Sequence, residues 1–440
     1  MRSTLKTLLL AAVSVAAVSP AFAQTEIQFW HGFNGRLAEL LNAQVEEFNG
    51  SQSDYKVVAT PKGTYAETLN AGIAAFRAGE QPHILQVFEV GTATMMAAKG
   101  AVKPVYELMA ESGLPFDPKN YLSPVAGYYT NTDNQMLSLP YNSSTPVMYV
   151  NRDALEEAGI DPDIDLSTWE KVTPVLAKLK QSGRSCGFTT SWMSWIQLET
   201  MSALHNIEFA TNENGFGGFD TELKFNQPLH VQHISLLGDW AKEGYFQYGG
   251  RSSAAGPLFR SGECAIYTES SAGYAGIKSE AKFDFDVRRL PYHEGVEGAP
   301  QNTIIGGASL WAMSGKTADE YKGVAAFMNF LSSTDIQAKW HQDTGYLPIT
   351  NAAYEKTKAD GFYEKNPGTD IAILQMTEKE PTAISKGVRL GFFSQIRDIV
   401  DEELEGVWNG SKTAEDALNT AVERGNEQLR RFESANSAGN

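Results

Sequence analysis

The feature that most constrains the fold is an alternation of short apolar runs with amphipathic helical segments near the start of the chain. Between residues 37 and 48 apolar residues recur at helical spacing, and Thr64 with Glu67 forms a capping box that opens a second helix. Three apolar runs have the length of strands: residues 27–30, 55–60 and 83–88. Strand, helix, strand, helix, strand is the order of an α/β unit with a mostly parallel sheet.

The same alternation resumes near residue 147 and predicts a second α/β lobe. Ser167 and Glu170 are predicted to form another capping box. A glycine turn then precedes an apolar strand at 306–313, and the rest of the chain is mostly helical. We therefore expect two α/β lobes joined by several chain crossings, with a ligand cleft where the strand ends face each other. Strands of the second lobe are predicted near residues 147–150, 186–190, 263–268 and 285–290.

The first 23 residues have the pattern of an export signal. Arg2 and Lys6 precede an apolar run, which ends at the small-x-small sequence of Ala21 to Ala23. The run is shorter than the roughly 20 residues of a membrane span. We expect a signal peptide at 1–23, cleaved after Ala23, with an uncleaved anchor as the alternative.

The acidic balance of the chain argues against nucleic acid as a partner. The net charge is −17, and loss of Arg2 and Lys6 with the signal would make it −17 − 2 = −19. Nucleic-acid binding relies on basic patches. An anionic ligand would therefore have to be held by local donors, against the field of the whole molecule.

The two cysteines, Cys186 and Cys264, both lie on apolar runs that look like strands. An exported protein meets an oxidising compartment, where the two could pair. Two buried free thiols fit the same pattern, so both states remain open.

No motif in the sequence assigns a catalytic residue, a metal site or a cofactor. Among the seven histidines, only His230 and His233 share a helix face, and no carboxylate stands at zinc-ligand spacing. We expect these two to lie on a solvated face. The chain has no nucleophile elbow and no glycine-rich nucleotide loop. We predict a binding protein, with no catalytic residue, metal or cofactor.

Several turns at strand ends combine hydroxyl groups with small residues. The run 142–145 falls at the predicted first crossing, and Ser270 opens a strand-to-helix turn that favours anions. Ser394 is predicted to cap a helix, which puts Arg397 in the first turn, where an arginine gains nothing from the helix dipole. Either a surface salt bridge or a clamp on a phosphate or carboxylate would explain Arg397.

Aromatic and acidic residues add to this set. Trp192 and Trp195 follow a strand and could pack in the core or form an aromatic wall for a polyol. Glu89 ends a strand, where it could cap the next helix or accept hydrogen bonds from vicinal hydroxyls.

Seven runs of the chain carry a resemblance to known proteins: residues 29–31, 72–77, 89–96, 305–311, 344–350, 361–368 and 401–405. They resemble the periplasmic receptors that bind sn-glycerol 3-phosphate for ABC importers, within the extracellular solute-binding proteins of family 1. The likeness covers essentially all of the chain after the signal.

The resemblance implies a two-lobed, type II, maltose-receptor-like fold with a multi-strand hinge. It places residues 24–140 plus about 303–347 in an N-terminal lobe, and 141–302 plus about 348–440 in a C-terminal lobe. A monomer in the periplasm would close on its ligand and deliver it to the membrane permease. Carried over onto this sequence, the ligand-binding residues would be Tyr65, Ser144, Ser270, Gly307, Tyr346 and Arg397 around the phosphate, Glu89 at the glycerol hydroxyls, and Trp192 and Trp195 against the glycerol or its substituent.

One position departs from the expected pattern. Glu269 precedes Ser270 where a small neutral residue is expected, and a carboxylate there would repel a phosphate. We expect Glu269 to face solvent. The predicted ligand is sn-glycerol 3-phosphate or a glycerophosphodiester, with a sugar receptor on the same fold, or a secreted phosphodiesterase, as alternatives.

Overall fold

The computed structural model describes residues 24–437, so the predicted signal peptide lies outside the described residues. Within these described residues, ten strands form two separate sheets. In chain order they are β1 (Thr25–His31), β2 (Tyr55–Pro61), β3 (Ile84–Phe88), β4 (Val102–Lys103), β5 (Leu139–Ser144), β6 (Pro146–Asn151), β7 (Cys186–Thr190), β8 (Cys264–Ser270), β9 (Phe285–Arg288) and β10 (Gly306–Met313).

The first sheet has six strands in the order β2-β1-β3-β10-β4, with β5 also paired to β10. β1 runs parallel to β2 and to β3, as the strand–helix alternation predicts. β10 enters antiparallel between β3 and β4, although it follows the second sheet in the sequence. The chain therefore leaves this sheet after β5 and returns to it with β10.

The second sheet has four strands in the order β7-β8-β6-β9. β7 and β8 are parallel neighbours, and their first residues, Cys186 and Cys264, stand opposite each other. The two cysteines form a disulfide, which decides between the two states that the sequence leaves open. The bond ties together two strands that start 78 residues apart.

The α-helices surround both sheets, and most of the predicted ones are present. The capping box of Thr64 and Glu67 is confirmed. The predicted box at Ser167 and Glu170 is wrong, because the N-cap is Thr168, whose hydroxyl accepts from the Lys171 amide. The helices of six or more residues are Gly35–Ser51, Tyr65–Ala78, Thr92–Ala97, Val105–Glu111, Ser123–Tyr128, Arg152–Glu157, Trp169–Gln181, Pro228–Lys242, Tyr274–Glu280, Ala318–Leu331, Thr334–Thr344, Asn351–Ala359, Ile371–Thr377, Phe393–Trp408 and Ala414–Ser437.

The prediction that His230 and His233 lie on a solvated face is wrong. Both side chains are fully buried on the helix Pro228–Lys242. His233 Nε2 lies 3.0 Å from Oε1 of Gln197, and its Nδ1 lies 3.0 Å from Nε2 of His293. Burial lowers the pKa of His233 well below its ordinary value. This helix face carries polar residues and is still buried, because other polar side chains form hydrogen bonds with it.

The two sheets meet where the chain passes directly from β5 to β6 through Thr145. Oγ1 of Thr145 lies 2.7 Å from Oγ1 of Thr303 and donates to the Ile304 carbonyl at 2.8 Å. Both crossings between the sheets therefore lie side by side and are hydrogen-bonded to each other. Between residues 24 and 437, no helix combines the length and the apolar character that crossing a membrane requires.

Candidate ligand-binding site

A cavity lies between the two sheets, and all nine residues predicted to bind ligand line it. Its empty volume is about 1380 Å³, part of which is open to solvent. Elements that belong to the first sheet supply one wall, and elements of the second sheet supply the other. The nine residues are Tyr65, Glu89, Ser144, Trp192, Trp195, Ser270, Gly307, Tyr346 and Arg397.

The glycine pair at the start of β10 shapes the cavity floor. Gly307 has φ +86°, and a Cβ there would lie 1.9 Å from the Asn142 carbonyl oxygen. A Cβ on Gly306 would lie 2.3 Å from the Trp195 ring. Gly306 lets the Trp195 ring lie close to the strand, and Gly307 takes a backbone conformation that residues with side chains disfavour.

The two tryptophans have different surroundings. Trp195 is 4% exposed, and its indole N–H donates to the Ile305 carbonyl at 3.3 Å. Trp192 is half-buried and has φ 47°, which is rare for a bulky residue. Its amide donates to the Ser252 carbonyl at 2.8 Å, which helps to fix that conformation. Trp195 packs as core while lining the cavity, whereas Trp192 presents an accessible ring.

Two tyrosines approach each other at the hinge side of the cavity. The hydroxyls of Tyr65 and Tyr346 lie 3.2 Å apart, and Asn142 Nδ2 donates to the Tyr65 hydroxyl at 2.9 Å. Burial raises the pKa of Tyr346 to about 12 and that of Tyr65 well above its ordinary value. Both phenols therefore keep their protons at neutral pH and can donate hydrogen bonds to an anion.

The helix that carries Arg397 starts differently from the prediction. Phe392, with φ 48°, precedes the first helical residue, Phe393, so Ser394 is not the N-cap. Arg397 therefore lies in the second turn. Its side chain is 11% exposed, so it forms no surface salt bridge. It lines the cavity, as a ligand clamp would require.

Arg397 is already paired with two carboxylates. Its Nε and Nη2 donate to the two oxygens of Glu199, each at 2.7 Å, in a bidentate pair. Nη2 also lies 2.8 Å from Oε1 of Glu89. Burial works against the charge, but the two carboxylates raise the pKa of Arg397 above its ordinary value.

Of the two carboxylates that pair with Arg397, the sequence predicts only Glu89 at the site. Glu89 was predicted at the site and is 5% exposed there; burial raises its pKa, and Arg397 opposes that rise. Glu199 was missed, since it lies 198 residues before Arg397 in the chain. Its only sequence signal is its place four residues after Trp195. The segment Trp195–Thr200 is a π-helix, a turn type that often marks functional sites.

The prediction that Glu269 faces solvent is wrong. The residue is 5% exposed and lines the cavity beside Ser270. It accepts hydrogen bonds from the Ser270 amide at 2.7 Å and from the hydroxyl of Tyr267, which lies two residues earlier on the same face of β8. Burial raises the pKa of Glu269, and the hydrogen bonds oppose the rise. Within residues 24–437 the groups that form hydrogen bonds with it are all neutral.

The two serines lie at strand ends, as predicted. Ser144 ends β5 opposite Gly306, and Ser270 ends β8. The Ser270 hydroxyl accepts from the Ala272 amide at 3.2 Å and caps the turn that leads into the helix Tyr274–Glu280. Other lining residues were not predicted, among them Asn34, Arg36, Ser252, Ser253, Arg260 and Glu280. The described residues bring together no cluster of side chains that could hold a metal ion.

The fold has two α/β lobes, each built on one sheet, with two adjacent crossings between them and a polar cavity between the sheets. This is the architecture of a two-lobed solute-binding protein. The sequence model of the family of bacterial extracellular solute-binding proteins matches residues 43–369, and the chain belongs to that family. Together with the relatives and solved structures described next, this match confirms the resemblance found in the sequence and the predicted fold class.

Relatives of known function cover almost the whole chain. The sn-glycerol-3-phosphate-binding periplasmic protein UgpB of Yersinia enterocolitica is 51% identical over 98% of this chain and 98% of its own. The protein of the same name from Salmonella typhimurium is 51% identical over 96% of this chain and 97% of its own.

Solved structures share the fold at low sequence identity. UgpB from Mycobacterium tuberculosis, in complex with glycerophosphocholine, has a TM-score of 0.77 at 19% identity and covers 93% of this chain and 99% of its own. Maltose-bound MalE3 of T. maritima has a TM-score of 0.75 at 17% identity and covers 91% of this chain and 98% of its own.

Proposed function

We propose that this protein is the periplasmic receptor of an ABC importer and captures sn-glycerol 3-phosphate or a glycerophosphodiester in the cavity between its lobes. The observation that carries the proposal is the position of Arg397, whose buried guanidinium lines a cavity shared with serine and tyrosine hydroxyls. The 51% identity to proteins named as glycerol-3-phosphate receptors supports the same ligand class. The receptor acts by binding and not by catalysis.

The phosphate would lie among donors from both sides of the cavity. Arg397 would supply charge-assisted hydrogen bonds, with Ser144, Ser270, Tyr65 and Tyr346 as hydroxyl donors. The backbone at Gly307 approaches the same space, because it has no side chain. Charge-assisted hydrogen bonds contribute about 1.5–3 kcal/mol each, so a few of them reach the roughly 8 kcal/mol of micromolar binding.

The glycerol part would lie on the other side of Arg397. Glu89 would accept hydrogen bonds from the glycerol hydroxyls, and its contact with Arg397 would be shared with the ligand. Trp192 and Trp195 would pack against the carbon skeleton, because its C–H groups make favourable contacts with indole rings.

Binding would be coupled to closure of the lobes. We assign residues 24–140 plus about 303–347 to one lobe and 141–302 plus about 348–440 to the other, although residues 142–144 of β5 still pair with β10 in the first sheet. Because ligand contacts come from both lobes, ligand would shift the population toward the closed form. The closed monomer would then deliver its ligand to the membrane permease.

Isothermal titration calorimetry of the purified protein against sn-glycerol 3-phosphate, glycerophosphocholine and maltose tests the ligand class. We expect micromolar or tighter binding of at least one phosphorylated glycerol and no heat with maltose. Binding of maltose alone would establish the sugar receptor instead. Release of choline from glycerophosphocholine during the titration would establish a phosphodiesterase.

A further inference from the structure

A line of hydrogen bonds leads from the protein surface to the π-helix of the candidate site. Nδ1 of His293 lies 3.1 Å from Oε1 of Glu170, whose side chain is 42% exposed. Nε2 of His293 lies 3.0 Å from Nδ1 of His233, and Nε2 of His233 lies 3.0 Å from Oε1 of Gln197. Gln197 belongs to the π-helix, and both histidines are buried. We call these four residues the histidine network.

The orientation of the Gln197 amide decides where the protons of the histidine network lie. Its Nε2 donates to the hydroxyls of Thr190 at 2.9 Å and Thr268 at 3.0 Å. Both hydroxyls are acceptors toward the amide, because Thr268 donates to Thr190 at 2.8 Å and Thr190 donates to the Ser191 carbonyl at 3.1 Å. The amide oxygen therefore faces His233, and only a protonated Nε2 of His233 can donate to it.

The hydrogen bonds of the histidine network require one proton more than two neutral histidines carry. Two neutral rings have two N–H groups, whereas the contacts to Gln197, between the rings and to Glu170 need three. With one proton fewer, two acceptors would face each other at 3.0–3.1 Å. The extra proton lies on His293, because this ring contacts the carboxylate. Burial and the charge of His293 lower the pKa of His233 well below its ordinary value.

The other titratable groups around the two rings leave Glu170 as the counter-ion. His205 accepts from the His293 amide and donates to a backbone carbonyl, and His230 donates to a serine hydroxyl. Burial lowers the pKa of His205 to about 4 and that of His230 to about 3. The amide of Glu294 donates to Glu170, while its carboxylate accepts from a threonine hydroxyl. Burial works against the charge of Glu170, but the hydrogen bond from His293 lowers its pKa.

A second histidine–glutamate pair, beside the first sheet, needs no extra proton. Nε2 of His83 lies 3.1 Å from Oε1 of Glu320, the same distance as between His293 and Glu170. Nδ1 of His83, however, accepts from the Gln28 amide at 2.9 Å. One N–H is therefore enough for His83, and burial lowers its pKa. The partner of the second ring nitrogen separates the two pairs.

We propose that the ion pair of His293 and Glu170 positions the π-helix of the candidate site and thereby its ligand contacts. The pair acts through Gln197, which lies between Trp195 and Glu199 on that helix. Loss of the extra proton would leave two acceptors in contact, so the histidine network would separate and the π-helix would lose this support. The charge follows from the described contacts alone, whereas its effect on binding rests on the proposed function.

Long-range ¹H–¹⁵N correlation spectra of protein labelled at histidine test the charge on the unmodified chain, because protonated and bare ring nitrogens differ in ¹⁵N shift. Each signal is assigned by its loss in the corresponding histidine-to-glutamine variant. At pH 6.5 we expect His293 to carry protons on both nitrogens, and His83, His205 and His233 to carry one each. A bare nitrogen on His293 at that pH would overturn the ion pair.

Glu170→Gln is the matching variant, because an amide in place of the carboxylate can donate to a bare Nδ1 of His293. We expect His293 to be neutral in this variant, since every contact of the histidine network is then satisfied without the extra proton. Glu320→Gln is the control. It removes the carboxylate of the other pair and should leave the His293 signals unchanged.

Calorimetry with glycerophosphocholine between pH 5.5 and 9.5 tests the effect on binding, since the charges of this diester are constant over that range. As the spectra show His293 losing its proton, we expect the affinity of the unmodified protein to fall roughly fivefold or more. The affinity of Glu320→Gln should fall in the same way, and that of Glu170→Gln should not change with His293.

The same pH profile in the unmodified protein and in Glu170→Gln would overturn the positioning role and leave the proposed function intact. If neither glycerophosphocholine nor sn-glycerol 3-phosphate binds at any pH, the proposed function fails and the positioning role with it. The spectra still decide on the charge of His293 in that case, because they need no ligand.

Discussion

Glu89 and Glu269 line the same cavity, are both 5% exposed and both have a pKa raised by burial, yet their partners differ. Glu89 lies 2.8 Å from a guanidinium nitrogen of Arg397, whereas Glu269 accepts hydrogen bonds only from neutral groups. Equal burial therefore produces two kinds of carboxylate. One belongs to a charge network with a guanidinium, and the other is held by neutral donors.

Removal of the shared cation should have the largest effect on this comparison. Arg397→Met leaves Glu199 and Glu89 buried without a counter-charge, which we expect to destabilise the fold by about 3–5 kcal/mol. It should also abolish measurable binding of phosphorylated glycerols. Urea unfolding measures the loss of stability, and calorimetry measures the loss of binding. Both are done at pH 5.5, so that the variant stays folded.

Arg424→Met is the matched control for that variant. Arg424 also bridges two carboxylates, Glu402 and Glu403, but it lies outside the cavity. We expect this variant to lose stability and to keep its ligand affinity. If Arg424→Met lost affinity as severely as Arg397→Met, the effect would come from stability and not from the site.

Double-mutant cycles test the difference between Glu89 and Glu269 through the coupling energy of each with Arg397, an effect of intermediate size. The cycle of Arg397→Met with Glu89→Gln should give a coupling energy of about 0.5–3 kcal/mol in unfolding experiments, because the two side chains are in contact. The cycle of Arg397→Met with Glu269→Gln should be additive within about 0.5 kcal/mol, since Glu269 forms no ion pair with Arg397. Equal coupling energies would erase the distinction between the two carboxylates.

The pH dependence of stability should reveal the smallest effect. Because the folded state raises the pKa of Glu269, the folded protein binds that proton more tightly than the unfolded chain does. Stability then falls as the pH rises from about 4.3, the value of an unfolded glutamate, through the folded pKa. Without ligand, Glu269→Gln should be more stable than the parent at pH 7, and the gain should vanish below pH 4.3.

That difference is measured as the gap between the two urea midpoints from pH 4 to pH 8. Other titrating groups are common to both proteins, so the gap isolates Glu269. A gap that stayed constant with pH, or that favoured the parent at pH 7, would mean that Glu269 is not an uncompensated charge.

The sequence predicts the elements of the fold well where periodicity is clear. The strands and helices up to residue 88 follow from alternating apolar runs and the capping box at Thr64. The prediction at Ser394 failed because Phe392 takes a left-handed conformation that directs the chain into the helix without a polar cap. Nothing in the local composition signals that conformation.

The candidate site was predicted mainly from a family resemblance, and local patterns alone left most of its residues ambiguous. The solvent-facing prediction for Glu269 failed because β8 is buried on both sides along nearly its whole length, so alternation cannot separate inside from outside. Glu199 could not be paired with Arg397 from sequence, since only the assembled cavity brings the two together. Local sequence patterns do not indicate which charged residues form ion pairs when they lie far apart in the chain.

A crystal structure of the protein with sn-glycerol 3-phosphate or glycerophosphocholine tests the central claim most directly, that this cavity holds the phosphate at Arg397. We expect a phosphate oxygen within hydrogen-bond distance of the Arg397 guanidinium and of Ser144 or Ser270. A phosphate far from Arg397 would contradict it.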